Sequence, residues 1–447
     1  MDVRIRSTAI AATPLSVGQS AAADVARRWS ELARRALTEV IGNAAVSGVP
    51  LVIGSSNGIA DGYEPATWLS AFDVGPCLTG TPWAGQSLPV FSGSCASGLQ
   101  ALWWGTWLIE AGQRDVIVLA VDGVRRASQQ NFASLRLLSA RVRTPWQADS
   151  EGFVTGEAAV AVWLTRATAD EDRPRLVGPV LSQDLAPGDG LARVLTPFEP
   201  IQPTLLIGQG TGPAEADDIE LSAFAATVDP TVPVFTPWPV FGHTLGASGL
   251  LSVALAARWQ QDDTVAELAN SPPGSTRDGR PFAAKSVDVR RARIACRALI
   301  GACAACDVTS DAVATPETVS RYETPSPPVA IMLPALQQLA REALRHRPDI
   351  APDALLIRLD APLLPPERAL IGGRLLPTAV YEVTPGFVAQ LTARCWGLTG
   401  GAMTLVGSEA TWATSTTWIE ACRQSGVRLH VVDITTADRP LAVYWNV

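Results

Sequence analysis

The sequence has few charged residues and almost no lysine. Of its 447 residues only 17% are charged, the net charge is −8, and Lys285 is the single lysine. No basic tract occurs, so the chain lacks the clustered cations that replace counterions along a nucleic acid. We therefore expect no nucleic-acid partner. The sparse charge and the 47% of hydrophobic residues favour a large core and a surface partly covered by a partner.

The sequence also lacks the pattern of a signal peptide and of a membrane span. Its first residues contain no continuous apolar region of the kind that a secretory signal needs. The longest apolar run, near 245–257, is interrupted by Gly246, Ser248 and Gly249 and ends at Arg258, so it is not expected to cross a bilayer. The seven cysteines are an odd number, which favours reduced thiols and a cytoplasmic location.

Metal-ligand spacing is missing as well. Cys303 and Cys306 form one Cys-x-x-Cys pair, but no second pair follows at zinc spacing. The histidines His243, His346 and His430 are far from this pair in the sequence. Packing is the favoured interpretation of both cysteines, and no metal site is predicted.

Strand-like and helix-like stretches alternate along the chain. Apolar runs over 88–94, 115–123 and 158–166 predict strands, and the run over 96–112 predicts a helix. Alternation on this scale predicts an α/β fold whose sheets are covered on both faces. Further strands are predicted over 50–58, 203–210 and 292–301.

A change in composition divides the chain. Residues 309–328 are rich in proline, serine and threonine and have no apolar period, which is typical of a linker. We therefore predict a first domain over 1–308 and a second α/β segment over 329–447.

The second segment contains an echo of the first. Residues 401–433 and 87–122 both show a strand, Gly-Ser-X, a helix with Ile-Glu-Ala, and a second strand. Glu409 stands where Cys95 stands. Two explanations are open: a decayed internal copy that has lost its thiol, or a chance likeness of two amphipathic helices.

Cys95 lies in the stretch FSGSCASGL, between a predicted strand and a predicted helix. The unpaired N–H groups and the dipole at a helix N-terminus favour a thiolate there. Small neighbours let a substrate or another backbone approach closely. The pattern alone is weak, because buried cysteine is often plain core.

Three more stretches follow in order: EGFVTGE from residue 151, GQGTGPAEADDIE from 208 and FGHTLGASG from 241. Together with the Cys95 stretch, and with ALIGACAA around Gly301, they resemble the ordered motifs of β-ketoacyl synthases of the thiolase superfamily. The resemblance covers residues 1 to about 308. It implies a thiolase-like duplicated αβαβα five-layer fold, here with an additional C-terminal α/β segment.

The resemblance also implies substrates and partners. The substrate would be an acyl thioester on the phosphopantetheine of an acyl carrier protein or on coenzyme A, with no resident cofactor. A homodimer, or a heterodimer with another ketosynthase-like subunit, is expected.

The same resemblance assigns the site, which departs from the family pattern. Gln209 replaces the first family histidine and Trp238 replaces the family lysine, whereas Cys95 and His243 are kept. The predicted catalytic residues are thus Cys95, His243 and Gln209, with an oxyanion hole from the backbone N–H groups of Cys95 and Ile300. The residues expected to line the substrate are Trp238, Thr211 and Gly301, and those expected to support the site structurally are Glu157, Asp217 and Glu220.

Three functions are compatible with these residues. The favoured one is acyl transfer through a thioester on Cys95, because both the first family histidine and the family lysine are replaced. A glutamine can donate a hydrogen bond but cannot act as a base. The first alternative is decarboxylative condensation with a Cys-Gln-His set. The second alternative is a non-catalytic partner that resembles a chain-length factor, which retained Cys95 disfavours. Thiolase itself is disfavoured because a second catalytic cysteine has no clear match beyond Cys303 and Cys306.

Overall fold

The computed structural model describes most of the chain. The residues described are 2–12, 25–56, 58, 72–142, 144–167, 172–261, 271–284, 287–299, 301–311, 320–321, 323, 347–359, 370–371, 374–375, 385–435 and 441–446.

Fourteen strands form one mixed sheet and two form a small hairpin among these residues. The strands are β1 Val3–Ala12, β2 Leu51–Gly54, β3 Val90–Ser92, β4 Asp115–Asp122, β5 Ala158–Arg166, β6 Arg175–Gln183, β7 Leu205–Ile207, β8 Val234–Phe235, β9 Arg291–Arg297, β10 Ala302–Thr309, β11 Ala354–Leu359, β12 Leu370–Ile371, β13 Arg374–Leu375, β14 Gly401–Val406, β15 Leu429–Thr435 and β16 Leu441–Asn446.

Ten helices are present among the described residues. They are α1 Val25–Ile41, α2 Gly75–Leu78, α3 Ser97–Glu110, α4 Arg126–Ser134, α5 Asp189–Leu195, α6 Ala214–Thr227, α7 Trp238–Phe241, α8 Ser248–Gln261, α9 Gly386–Trp396 and α10 Glu409–Gln424. Short 3-10 turns occupy Thr196–Phe198 and Leu245–Ala247.

Two buried helices separate the two halves of the sheet. Almost every residue of α3 and of α8 is buried, as expected for helices that are apolar on all sides. Helix α3 contacts β4 on one side and β6 on the other, and α8 contacts both β5 and β9. Helices α1 and α5 cover the outer faces. The result is the predicted α/β five-layer arrangement with an additional C-terminal segment.

The sheet runs in the order β16-β15-β11-β14-β3-β2-β4-β5-β1-β6-β10-β9-β7-β8. Its two halves are joined by a short antiparallel contact in which Val3 pairs with Leu176 and Arg4 with Arg175. The strands of the C-terminal segment continue the first half of the sheet from the edge of β3.

The C-terminal strands repeat the topology of the first half. Strand β11 pairs in parallel with both β14 and β15, and β15 pairs antiparallel with β16. Strand β2 pairs in parallel with both β3 and β4, and β4 pairs antiparallel with β5. The order β14-β11-β15-β16 is therefore the order β3-β2-β4-β5 again.

Most strands predicted from the sequence are present, but three long ones were not predicted. Strand β1 alternates arginine with apolar residues and was not recognised. Strand β6 also escaped prediction. Strand β10, ACAACDVT, consists largely of small residues with weak strand preference. It begins within the stretch ALIGACAA, 298–305, which the resemblance assigned to a glycine-rich loop, so the second half of that stretch is strand.

Candidate active site

Cys95 lies in a tight turn between β3 and α3. Ser94 has a φ of +56°, a left-handed conformation that is strained for a residue with a side chain. The Ser97 hydroxyl closes the turn: its Oγ accepts from the Gly93 N–H at 2.9 Å and donates to the Ser94 carbonyl at 2.6 Å. The turn therefore fixes Cys95 just before the N-terminus of the buried helix α3.

His243 is the partner of Cys95. The Cys95 Sγ and His243 Nε2 atoms are 3.2 Å apart, although 148 residues separate them. The backbone of His243 is also held: its N–H donates to the Val154 carbonyl at 2.8 Å, and its carbonyl accepts from the Gly156 backbone N–H at 3.0 Å. The stretches EGFVTGE and FGHTLGASG thus meet to hold the imidazole against the thiol.

The other ring nitrogen and the ring face of His243 are also fixed. The Ser248 Oγ lies 3.3 Å from Nδ1. The ring of Phe153 meets the imidazole edge-to-face at 4.7 Å between centroids. These contacts define one orientation for a ring that is 4% exposed.

Burial keeps both members of the pair neutral. Burial, helped by the charge of Asp122 and opposed by the Cys95 backbone N–H, raises the pKa of the Cys95 thiol to about 12. Burial lowers the pKa of His243 to about 4. The expectation of a resting thiolate is therefore wrong: desolvation outweighs the helix N-terminus. At neutral pH the geometry is that of a thiol beside a neutral imidazole base.

Asp122 was not identified from the sequence. This buried carboxylate at the end of β4 accepts from the Ser55 hydroxyl at 3.0 Å and from the Ser56 and Gly246 N–H groups at 2.8 Å each. It thereby ties the end of β2 to the loop after His243. An acidic residue closing the apolar run DVIVLAVD is the signal that could have revealed it.

Cys296 is a second neighbour that sequence reasoning missed. Cys296 lies on strand β9, and its thiol donates to the Cys95 carbonyl oxygen at 3.3 Å.

Two buried carboxylates shape the loop that carries Gln209. Glu220 accepts from the N–H groups of Gln209 at 2.7 Å and Gly210 at 2.8 Å. Asp217 accepts from the Gly212 N–H at 2.9 Å. The same carboxylates hold Trp146 through its indole N–H and its backbone N–H, each at 2.8 Å. Burial raises the pKa of Glu220 to about 7 despite these donors.

The Gln209 side chain has a free donor. Its Oε1 accepts from the Arg297 N–H at 2.9 Å, which fixes the orientation of the amide. Its Nε2 is buried and has no hydrogen-bond partner among the residues that the structure describes. The amide thus presents N–H groups to the site. Thr211 lies on the same loop and is half-buried.

Trp238 presents a second free donor. It is the first residue of α7 and is 2% exposed. Within the described part of the chain its indole N–H has no partner. Trp238, Gln209 and His243 line one small cavity of about 10 Å³, together with Gly208, Thr236, Pro237, Gly242, Thr244, Ser248, Gly249, Ser252 and Ala295.

The remaining predicted residues lie in varied places. Glu157 forms a bidentate pair with Arg28 and accepts from the Val124 N–H at 3.0 Å. Gly301 has a φ of +88°, and a Cβ there would collide with Asp184. Gly301 therefore shapes the turn between β9 and β10. Ile300 lies outside the described residues, so its share of an oxyanion hole remains a prediction.

The Cys-x-x-Cys pair is split by the sheet. Cys303 packs in the core cluster under α5 and α6. Cys306 packs in the core cluster around the buried helices α3 and α8. Alternation along β10 sends the two side chains to opposite faces. The described residues hold no cluster of three metal-ligating side chains. Over the same ranges no helix is both long and apolar enough to cross a membrane.

Comparisons with known proteins support the fold. No protein-family model and no curated protein match the chain. Among solved structures, the PfaC ketosynthase–chain length factor is 12% identical, with a TM-score of 0.69 over 92% of this chain and 64% of that chain. This chain therefore spans less than two thirds of the PfaC chain.

Two shorter neighbours match as well. The structure AntDE:AntF, a type II polyketide synthase acyl carrier protein in complex with its ketosynthase, is 15% identical with a TM-score of 0.52 over 69% of this chain and 98% of that one. A β-ketoacyl synthase from Burkholderia phymatum STM815 is 17% identical with a TM-score of 0.53 over 69% and 99%. At these identities the likeness is one of fold. The chain has a ketosynthase-like fold.

Proposed function

We propose that the protein is a ketosynthase-like acyltransferase whose Cys95 carries the acyl group. The single observation that carries this proposal is the distance of 3.2 Å between the Cys95 Sγ and His243 Nε2 atoms. A neutral imidazole beside a neutral thiol can take the thiol proton at the moment of attack. Acyl carrier protein and coenzyme A thioesters are the donors we propose, in biosynthesis of the polyketide or fatty-acid type.

The first half-reaction follows from this pair. His243 Nε2 accepts the Cys95 proton as the sulfur attacks the thioester carbonyl carbon. The Cys95 backbone N–H, with that of Ile300 by resemblance, donates to the developing oxyanion. The intermediate then expels the donor thiolate, which takes the proton from His243. An acyl-Cys95 thioester and a free donor thiol result.

The second half-reaction reuses His243. The acyl-Cys95 carbonyl is attacked by an acceptor nucleophile, and His243 Nε2 removes its proton. The Cys95 sulfur leaves and takes this proton back, which restores the neutral pair. Transfer therefore needs only one imidazole.

Decarboxylative condensation is a second candidate, and a specific observation favours it. Gln209 and Trp238 each present a buried N–H without a partner in the described ranges, in the cavity that His243 also lines. An enolate oxygen formed when a malonyl thioester loses carbon dioxide is an acceptor that such donors could stabilise. A non-catalytic role resembling a chain-length factor is the third possibility, and the assembled Cys95–His243 pair opposes it.

Partners and setting belong to the same proposal. The acyl carrier protein in one neighbouring structure supports a carrier protein as the partner that delivers the acyl group. The six cysteines whose side chains are described are free, which supports a reducing, cytoplasmic setting.

Intact-protein mass spectrometry tests the proposal. The wild type, Cys95→Ala and a control, Cys395→Ala, are incubated with acyl-loaded and malonyl-loaded carrier protein. We expect an acyl adduct on the wild type and on Cys395→Ala, and none on Cys95→Ala. Carbon dioxide release in the malonyl reaction would favour condensation over simple transfer. The absence of any adduct across a broad set of donors would refute both and leave the non-catalytic role.

A further inference from the structure

The edge of the strand that leads to Cys95 is covered by the C-terminal segment. Strand β14 pairs antiparallel with β3, with Thr404 opposite Ser92 and Val406 opposite Val90. An uncovered edge at this place would be open to pairing with another chain. Here the same chain occupies it.

The covering segment mirrors what it covers. Its strand order and directions repeat those of the first half, as described above. The helices repeat too. Helix α9, which precedes β14, packs in the same core cluster as α2, which precedes β3. Helix α10, which follows β14, packs in the same core cluster as α3, which follows β3. Two like units that meet through antiparallel edge strands have the geometry of an isologous dimer interface. In this protein both units belong to one chain.

Helix α9 touches the turn that carries Cys95. A Cβ atom added to Gly386 would lie 2.8 Å from the Ser92 carbonyl oxygen and 2.9 Å from the Ser94 nitrogen. Only glycine fits so close to another backbone. The start of this helix is held by the Thr404 hydroxyl, which donates to the Pro385 carbonyl at 2.8 Å. The C-terminal segment thus packs directly against the backbone of the strained turn.

Buried side chains fasten the two units together. Trp418 of α10 stacks on Phe91 at 6.4 Å and meets Trp104 at 6.5 Å between ring centroids. The Gln100 amide of α3 donates to the Ala402 carbonyl of β14 at 3.0 Å. These contacts join β3 and α3, the elements on either side of Cys95, to the C-terminal segment.

We infer that the described residues 351–359 and 385–435 act as a built-in second subunit. The segment replaces the ketosynthase-like dimer partner that the sequence resemblance predicts, so the protein is a monomer. Gly386 is a positioning residue that keeps the Ser92–Ser94 backbone, and through it Cys95, in place. The monomeric state is independent of the proposed function, whereas the effect of Gly386 on acylation rests on it.

Light scattering of the full chain tests the first half of this inference. We expect the mass of one chain, 47.1 kDa, at low micromolar concentration. A mass of two chains at that concentration would overturn the inference. This outcome does not depend on whether Cys95 is acylated.

Kinetics of Cys95 acylation test the second half. Gly386→Ala and Thr404→Val are compared with Thr417→Ala, an exposed change on α10. We expect both test variants to lose about tenfold or more in acylation rate at saturating donor, because small misplacements of a nucleophile are costly. The half-saturating donor concentration should change little, and the control should match the wild type.

Two further outcomes complete the test. Wild-type acylation rates in both test variants would overturn the positioning role, and Thr404→Val keeps the test valid if Gly386→Ala fails to fold. If the wild type itself is not acylated, the proposed function fails. The mass from light scattering still decides whether the protein is a monomer.

Discussion

At the scale of single residues, the chemistry depends on two side chains that are unreactive alone. A thiol with a pKa of about 12 and an imidazole with a pKa of about 4 are both neutral over a wide pH range. In the proposed mechanism, the thiol proton moves to His243 across this contact as the sulfur attacks a substrate. This arrangement avoids a permanent thiolate, which would be open to oxidation.

The pKa of His243 predicts the pH profile of acylation. We expect kcat/KM for Cys95 acylation to be flat between pH 6 and 8, because His243 is already neutral there, and to fall as His243 gains a proton near pH 4. His243→Asn should remove this acid limb and nearly all acylation. Ser248→Ala, which loses the contacts to Nδ1 and to the Thr244 hydroxyl, should keep the profile. An inflection near pH 6.5 in the wild type would contradict a buried, neutral imidazole.

His243 also predicts a stability effect with a defined sign. Its folded pKa lies below its ordinary value of 6.5, so between pH 6.5 and 4 the unfolded chain binds more protons than the folded one. Stability should therefore fall as pH drops through this window. The His243→Asn variant should show a smaller fall in unfolding midpoint over the same range.

At the scale of elements, short loops hold the site and buried carboxylates hold the loops. Glu220 and Asp217 bind backbone N–H groups of the 209–212 loop, while Asp122 joins the ends of β2 and β4 to the loop after His243. All three carboxylates are buried and accept from backbone N–H groups. Their role is to fix the positions of Gln209 and His243.

Glu220→Gln tests this role. The two carboxylate oxygens accept three N–H groups, and an amide would turn an NH2 group toward at least one of them. We expect a loss of about 1–3 kcal/mol in the free energy of unfolding, measured by urea denaturation, and slower condensation if Gln209 serves it. Glu215→Gln, an exposed change on the same helix, is the control. Equal stability of both variants would show that the loop does not need the Glu220 charge.

Sequence reasoning located much of this site but not its state. The position of Cys95 between β3 and α3 follows from contiguous apolar runs and small residues. The family pattern brought His243 and Gln209 to the same place. The raised pKa of Cys95 and the contacts of Asp122 and Cys296 were not foreseen, because they depend on burial and on neighbours distant in sequence.

At the scale of the whole molecule, one continuous sheet joins the Cys95 turn to the C-terminal segment. The contact of Trp418 with Phe91 and Trp104 lies across this junction. A disturbance in the C-terminal segment should therefore reach β3.

Trp418→Ala tests this coupling. Removing a buried tryptophan should cost about 3–5 kcal/mol of stability and should lower the hydrogen-exchange protection of residues 90–92. Thr417→Ala is the adjacent control and should change neither quantity. Loss of protection confined to 401–435 would mean that the C-terminal segment opens independently of the Cys95 turn.

The sequence by itself determined the features that contiguous residues encode. These are the alternation of strands and helices, the turn at Cys95, and the likeness between 87–122 and 401–433. Tertiary structure alone decided the neutral state of the Cys95–His243 pair and the pairing of β14 with β3. The physical reason is the same in both cases: desolvation and edge pairing arise between segments that are far apart in the chain, and local patterns of apolar and polar residues do not specify them.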